Sequence, residues 1–236
     1  QEQAEHYRRK RVTNLPKAPM LKYAKKLSDI KKPHFRRKNY ELSIDDTEKI
    51  YMKAKDYKVT PAAVLCTVYM KVLAEYAKYP EFSINLTVFN RLSTHREIQE
   101  VLGDFTNISI AVYTEKKGQA FKDEVLETQK EFWNLVKYRG YEGTKIIRKM
   151  SKDSPRQASL PVVFTGILQG LKKTEYYLPD WAKEIYAYSQ TPQVSLDYQA
   201  TDFKGNLSIN WDYVVQAFDK NIIQEMFDKN IALLGK

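Results

Sequence analysis

The hydrophobic pattern of this chain switches repeatedly between a period of two and a period near that of a helix. From Gln193 to Gln199, Val194, Leu196 and Tyr198 alternate with Gln193, Ser195, Asp197 and Gln199. That is a strand with one apolar and one polar face. The turn residues Thr191-Pro192 precede it. Phe82–Phe89 also alternates, and Thr106–Val112, Asn206–Trp211 and residues 36–43 read as further strands, with a turn at Lys204-Gly205. Leu160–Thr165 is a continuous apolar run, which predicts a strand buried on both faces. Ser43 reads as the cap of a helix over Ile44–Lys55 with acidic residues in its first turn. Thr60-Pro61 supplies a cap and a proline at the first helical position. Val64, Leu65, Val68, Val72, Leu73 and Tyr76 follow at helical spacing, and Pro80 ends that helix. Phe121–Val136 reads as an amphipathic helix, Gly143–Met150 as another, and Lys220–Leu234 as the last. Residues 1–40, with Pro16 and Pro19, read as an extended crossing segment. With no repeat and no low-complexity tract, this order predicts one α/β unit: a single mixed sheet flanked by helices.

Composition narrows the classes. A content of 43% hydrophobic and 13% aromatic residues over 236 positions is ample for a packed core. No apolar run approaches the roughly 20 residues that span a bilayer, and Gln-Glu-Gln-Ala-Glu-His is no signal peptide. The reading is a cytoplasmic chain without a membrane partner. The single cysteine, Cys66, excludes an internal disulfide and a thiolate metal cage. Its apolar helical surroundings predict a buried, inert thiol. The net charge of +10 raises the question of nucleic acid. The charge is spread, however, with its densest runs at Arg8–Arg11, Lys31-Lys32 and Arg36–Lys38, and neither zinc-finger spacing nor an aromatic-basic string accompanies it. Nucleic acid is therefore not expected, and an acidic protein partner suits a basic surface equally well. No glycine-rich phosphate loop and no metal-ligand spacing occur, so no nucleotide and no metal is implied. The chain opens without an initiator methionine, mid-pattern, and reads as a piece of a longer polypeptide.

The chemistry concentrates on the polar face of 193–199. It sets the Asp197 carboxylate among amides and a hydroxyl, and such a face is either solvated or lines a site. Period two puts Gln193 and Gln199 on the side of Asp197, and Thr165 ends the predicted strand over 160–165. Both readings stay open on the residues alone. Asp104, between a glycine and an aromatic, has the place of a turn residue that satisfies local N–H groups. His95 reads as a hydrogen-bonded loop histidine, and Trp133 and Trp211 as core.

Several strings, in order, resemble one family. These are Leu15-Pro16-Lys17-Ala18-Pro19; Thr60-Pro61 with Leu65, Val72-Leu73 and Tyr76; Asn85-Leu86-Thr87 with Asn90-Arg91 and His95; and Gly103-Asp104-Phe105-Thr106. Pro161-Val162-Val163-Phe164-Thr165, the run Ser189–Gln199, and Trp211-Asp212 with Phe218 follow. Together they resemble the heterocyclization domains of nonribosomal peptide synthetases, specialised condensation domains, over nearly the whole chain. Tyr76 stands where that family has tryptophan and Gly166 where it has serine.

The resemblance implies a chloramphenicol acetyltransferase-like fold: two similar lobes in a V with a tunnel between them. All the matches belong to the second lobe. The first-lobe Asp-x-x-x-x-Asp motif lacks its context here, and Asp197 with Asp202 reproduces only its spacing. The His-His-x-x-x-Asp motif of ordinary condensation domains is absent too, since no two of His6, His34 and His95 are adjacent. The implied activity joins an acyl or peptidyl thioester to a carrier-held cysteine, serine or threonine and cyclodehydrates the product to a thiazoline or oxazoline. Asp197 and Thr165 take the positions of the cyclodehydration pair. Gln193, Gln199, Ser189, Asp104, Thr106, Asn85, Asn90 and Arg91 take substrate-binding or tunnel-lining places. No cofactor is bound directly; substrates ride on phosphopantetheine. The implied partners are the N-terminal lobe, upstream and downstream peptidyl carrier domains and an adenylation domain. A non-catalytic module that docks a carrier protein or partner lobe is the alternative. A coenzyme A acyltransferase of the same superfamily is the weaker third reading, since an active-site histidine is missing.

Overall fold

Six strands form one mixed sheet: β1 (Phe35–Glu41), β2 (Glu81–Phe89), β3 (Thr106–Thr114), β4 (Val162–Ile167), β5 (Leu196–Phe203) and β6 (Asn206–Val214), in the spatial order β1-β6-β5-β4-β2-β3. Strand β4 runs parallel to both β2 and β5, and the other neighbours are antiparallel. The computed structural model describes residues 15–89, 95–137, 160–168, 181, 185–187, 189–203 and 205–235. The helix expected over 143–150 lies outside them, as do Asn90 and Arg91.

Among the described residues four α-helices accompany the sheet: α1 (Ile44–Tyr57), α2 (Pro61–Tyr76), α3 (Phe121–Lys137) and α4 (Lys220–Leu234). Their starts are written in the sequence. Ser43 Oγ accepts from the Asp46 N–H at 3.1 Å, Thr60 Oγ1 from Ala63 at 3.3 Å, and Asp219 Oδ1 from Asn221 at 2.8 Å. Each satisfies a donor that a helix N-terminus leaves orphaned. Helix α2 is buried along most of its length and packs against α1, α3 and α4. Its cap has a second anchor, because both the Thr60 N–H and hydroxyl donate to Gln129 Oε1 on α3, at 2.6 and 2.8 Å. Thr60→Ala is therefore expected to cost about 1–2 kcal/mol, read as a lower urea midpoint at unchanged slope. An unchanged midpoint would remove the cap from the account.

Even-numbered residues of β2, β4 and β5, with odd-numbered residues of β6, form the helix-facing side. Phe164, Tyr198 and Trp211 lie in register there and meet Tyr69 of α2. The Tyr69 ring lies 4.7 Å from Tyr198 and 5.3 Å from Trp211, and Trp211 meets Phe227 of α4 at 5.5 Å. Cys66 is buried here, and burial pushes its thiol well above the usual range, as expected for an inert group. The β5–β6 hairpin turns through Gly205 at φ +91, a conformation that glycine adopts without strain.

Three expectations need correction. The strand expected from Gln193 begins only at Leu196, because Thr191–Val194 is a tight turn closed by Val194 N–H to Thr191 O at 3.2 Å. Pro192 presets that turn, and Gln193 sits in the left-handed region at φ 66, exposed. It is therefore not on the face of Asp197. Trp133 is not core: it is 60% exposed on α3, whose buried stripe runs through Val125, Thr128 and Leu135. Strand β4 is fully buried on its helix side only; Val163 and Thr165 are half-buried.

Candidate active site

The residues that point away from the helices make a polar surface out of the middle of the sheet. Register places Arg37, Asp212, Asp197, Val163 and Asn85 in one row across β1, β6, β5, β4 and β2. The next row holds Asn39, Asn210, Gln199 and Thr165. Period two also separates Asp197 from Asp202. The latter lies on the opposite side and accepts from the Tyr51 hydroxyl of α1, so the Asp-x-x-x-x-Asp spacing is not a paired site.

Asp197 and Asp212 are cross-strand neighbours, 6% and 0% exposed. Their surroundings differ sharply. Arg37 forks onto Asp212, Nε to Oδ1 and Nη2 to Oδ2, both at 2.7 Å, and the Ser189 N–H donates to Oδ2 at 2.5 Å. Such bidentate, charge-assisted pairs are the strong ones. Asp197 Oδ2 accepts from Gln199 Nε2 at 2.8 Å. Its Oδ1 is buried with no hydrogen-bond partner among the described residues. The Ser189 hydroxyl is near enough to favour the charged form, but it is engaged with Thr191 Oγ1 at 3.2 Å.

Burial pushes the Asp197 carboxyl up from 3.8 to about 6, reinforced by the Asp212 charge. The Gln199 bond, the Ser189 hydroxyl and the Arg37 charge oppose this. A carboxyl near 6 both accepts and returns a proton at neutral pH. Asp212 is thus saturated with donors, while Asp197 keeps one oxygen unpartnered among the described residues.

Thr165 lies diagonally from Asp197 on the same face, since it pairs with Gln199 while Val163 pairs with Asp197. Its hydroxyl donates to Thr87 Oγ1 at 2.8 Å and not to Asp197. Asn85 is buried, donates to the Leu160 carbonyl at 2.8 Å and keeps an Oδ1 without a partner among the described residues. Thr106 pairs with Phe89 at the far end of the face, and the exposed Asp104 accepts its N–H at 2.8 Å, as a turn residue does. His95 is also local: its Nδ1 accepts from the Glu97 N–H at 3.3 Å. Among the described residues no three His, Cys, Asp or Glu side chains gather as metal ligands, and no helix is long and apolar enough to cross a membrane.

The condensation-domain family model matches residues 1–236. The chain belongs to the condensation-domain family. It is 31% identical over 230 residues to bacitracin synthase 1 of Bacillus licheniformis, covering 96% of this chain and 4% of that one. It is 28% identical to phenyloxazoline synthase MbtB of a Mycobacterium species, covering 96% and 20%. The cyclization-docking bidomain of the EpoB nonribosomal peptide synthetase from Sorangium cellulosum superimposes with a TM-score of 0.88 at 25% identity, covering 99% of this chain and 48% of that one. This condensation-family chain thus spans a small part of its curated relatives and about half of that bidomain. Its fold is the chloramphenicol acetyltransferase-like mixed sheet flanked by helices that the resemblance implies.

Two site residues escaped the sequence reading. In the sequence Arg37 belongs to a basic run and Asp212 to the string Trp211-Asp212. A signal existed for the second: Ser208, Asn210 and Asp212 alternate with Leu207, Ile209 and Trp211.

Proposed function

We propose that this condensation-family chain is the second lobe of a heterocyclization domain, acting with an N-terminal lobe on carrier-held substrates in the cytoplasm. The upstream carrier brings an acyl or peptidyl thioester, and the downstream one brings cysteine, serine or threonine selected by an adenylation domain. Both are held on phosphopantetheine arms. The amine attacks the thioester carbonyl and expels the carrier thiol, which forms the amide. The side-chain thiol or hydroxyl then adds to the amide carbonyl, giving up its proton as the carbonyl oxygen becomes a hydroxyl. That hydroxyl leaves as water as the nitrogen loses its hydrogen and C=N forms. Asp197 takes the proton of the attacking group and returns one to the departing hydroxyl. Thr165, diagonal to Asp197 on the neighbouring strand of the same face, hydrogen-bonds the adduct.

The observation that carries this reading is the buried Asp197 carboxyl, with one oxygen tied to Gln199 and the other unpartnered. The likeness to a phenyloxazoline synthase and to a cyclization-docking bidomain supports it. The test is a reconstituted reaction of the two-lobe protein with loaded carriers, followed by mass spectrometry. The expected product is one water lighter than the linear amide. Linear amide alone would reduce the function to condensation, and no product would leave a docking module. Thr165→Val is expected to slow ring closure about 10-fold, the scale of one hydrogen bond to a reacting group, with amide still formed. An unchanged closure rate would take Thr165 out of the site.

A further inference from the structure

Gln199 lies between the two carboxylates and the guanidinium, and its amide can stand only one way round. Its Oε1 accepts from Arg37 Nη2 at 3.0 Å. Its Nε2 donates to Asp197 Oδ2 at 2.8 Å and reaches Asp212 Oδ2 at 3.4 Å. A guanidinium only donates and a carboxylate only accepts. A flipped amide would set N–H against N–H on one side and oxygen against oxygen on the other. Arg37 is itself held by its fork onto Asp212, which in turn is buried in β6. The chain of contacts runs from a fixed ion pair, through one amide, to one oxygen of Asp197.

This has a consequence for Gln199. Both its amide hydrogens face carboxylates, so it has none to give a substrate carbonyl. Its geometric effect falls on Asp197: Oδ2 is occupied, and Oδ1 is left buried and unpartnered among the described residues.

We propose that Gln199 is a positioning residue, locked by Arg37, which ties up Oδ2 of Asp197 so that Oδ1 is the oxygen presented to the cyclising substrate. The inference rests on the reading of Asp197 as the ring-closing carboxylate. It assigns Gln199 to orienting that carboxylate, and not to gripping substrate amides.

The test is the pH profile of ring closure, with its own kcat and KM, in the two-lobe protein carrying Gln199→Leu. After burial, which raises the Asp197 carboxyl, the Gln199 bond is the largest influence that lowers it. Removing that bond moves the ascending limb of the profile to higher pH by about one unit. Closure then falls about 10-fold at pH values below both inflections and recovers as the pH rises, while KM holds and linear amide still accumulates. Gln199→Glu keeps the side-chain shape and the Arg37 contact but turns a third carboxylate on Asp197. It shifts the limb in the same direction and further, and it serves if the leucine variant does not fold. A raised KM without a shift would make Gln199 a substrate contact, and an even loss at all pH values would make it structural. Either result overturns the proposal. Should Asp197→Asn cyclise normally in the same assay, the reading beneath the proposal fails instead.

Discussion

Asp197→Asn is expected to stop ring closure and at the same time to make the protein more stable at neutral pH. The two effects share one cause. Burial raises the folded-state carboxyl to about 6, above the 3.8 of a free side chain. A group raised in this way contributes its full stability below the unfolded value and loses it as pH rises through the folded one. Between about pH 4 and pH 7 the wild type therefore gives up roughly 3 kcal/mol at this position, at about 1.4 kcal/mol per unit. Asparagine has no charge to desolvate, and its carbonyl still accepts from Gln199. The variant should match the wild type near pH 4 and exceed it by about 1–3 kcal/mol at pH 7–8, once its added N–H₂ is discounted. Closure should drop by about 10²–10⁴-fold, the range for loss of a general acid-base group. Urea melts at both pH values check the first effect. A variant that is less stable at pH 8 would mean that Asp197 is a solvated or ion-paired carboxylate and not a buried acid.

Arg37→Ala carries the largest expected loss of stability. Arg37 meets Asp212 through two bonds, with side-chain exposures of 13% and 0%. Truncation strands a fully buried charge beside a second carboxyl, and breaking such a pair costs about 3–5 kcal/mol. That is a large share of the roughly 5–15 kcal/mol that a domain has. It should also release the loop that Ser189 ties to Asp212. Arg37→Lys is expected to recover only part, since an ammonium lacks the planar fork that reaches both Oδ atoms and the Gln199 oxygen. Arg37→Met combined with Asp212→Leu removes both charges and should lie closer to wild type than Arg37→Ala alone. A midpoint for Arg37→Ala within about 1 kcal/mol of wild type would show the pair to be as dispensable as a surface one.

These two residues also mark the limit of what the sequence discloses. Period and capping place the four described α-helices to within a few residues; Ser43 and Thr60, for example, act on neighbours three positions away. Period two likewise puts Asp197 and Gln199 on one face. The approach of Arg37 to Asp212 is different in kind. It joins positions 175 apart through the pairing of β1 with β6, and no local pattern encodes which strands become neighbours. The basic run Arg36-Arg37-Lys38 looks uniform in sequence. The strand separates it: Arg37 turns to Asp212, and Lys38 turns to Gln224 of α4. Gln193 differs from the alternation for a local reason, since the proline turn before Leu196 carries it off the strand. Trp133 is exposed because it lies off the buried stripe of its helix.

The most direct test is the product mass from the two-lobe protein carrying Asp197→Asn, with both carriers loaded. Linear amide should accumulate at the wild-type rate with no species one water lighter. Azoline at wild-type yield would contradict the assignment of Asp197 as the ring-closing group.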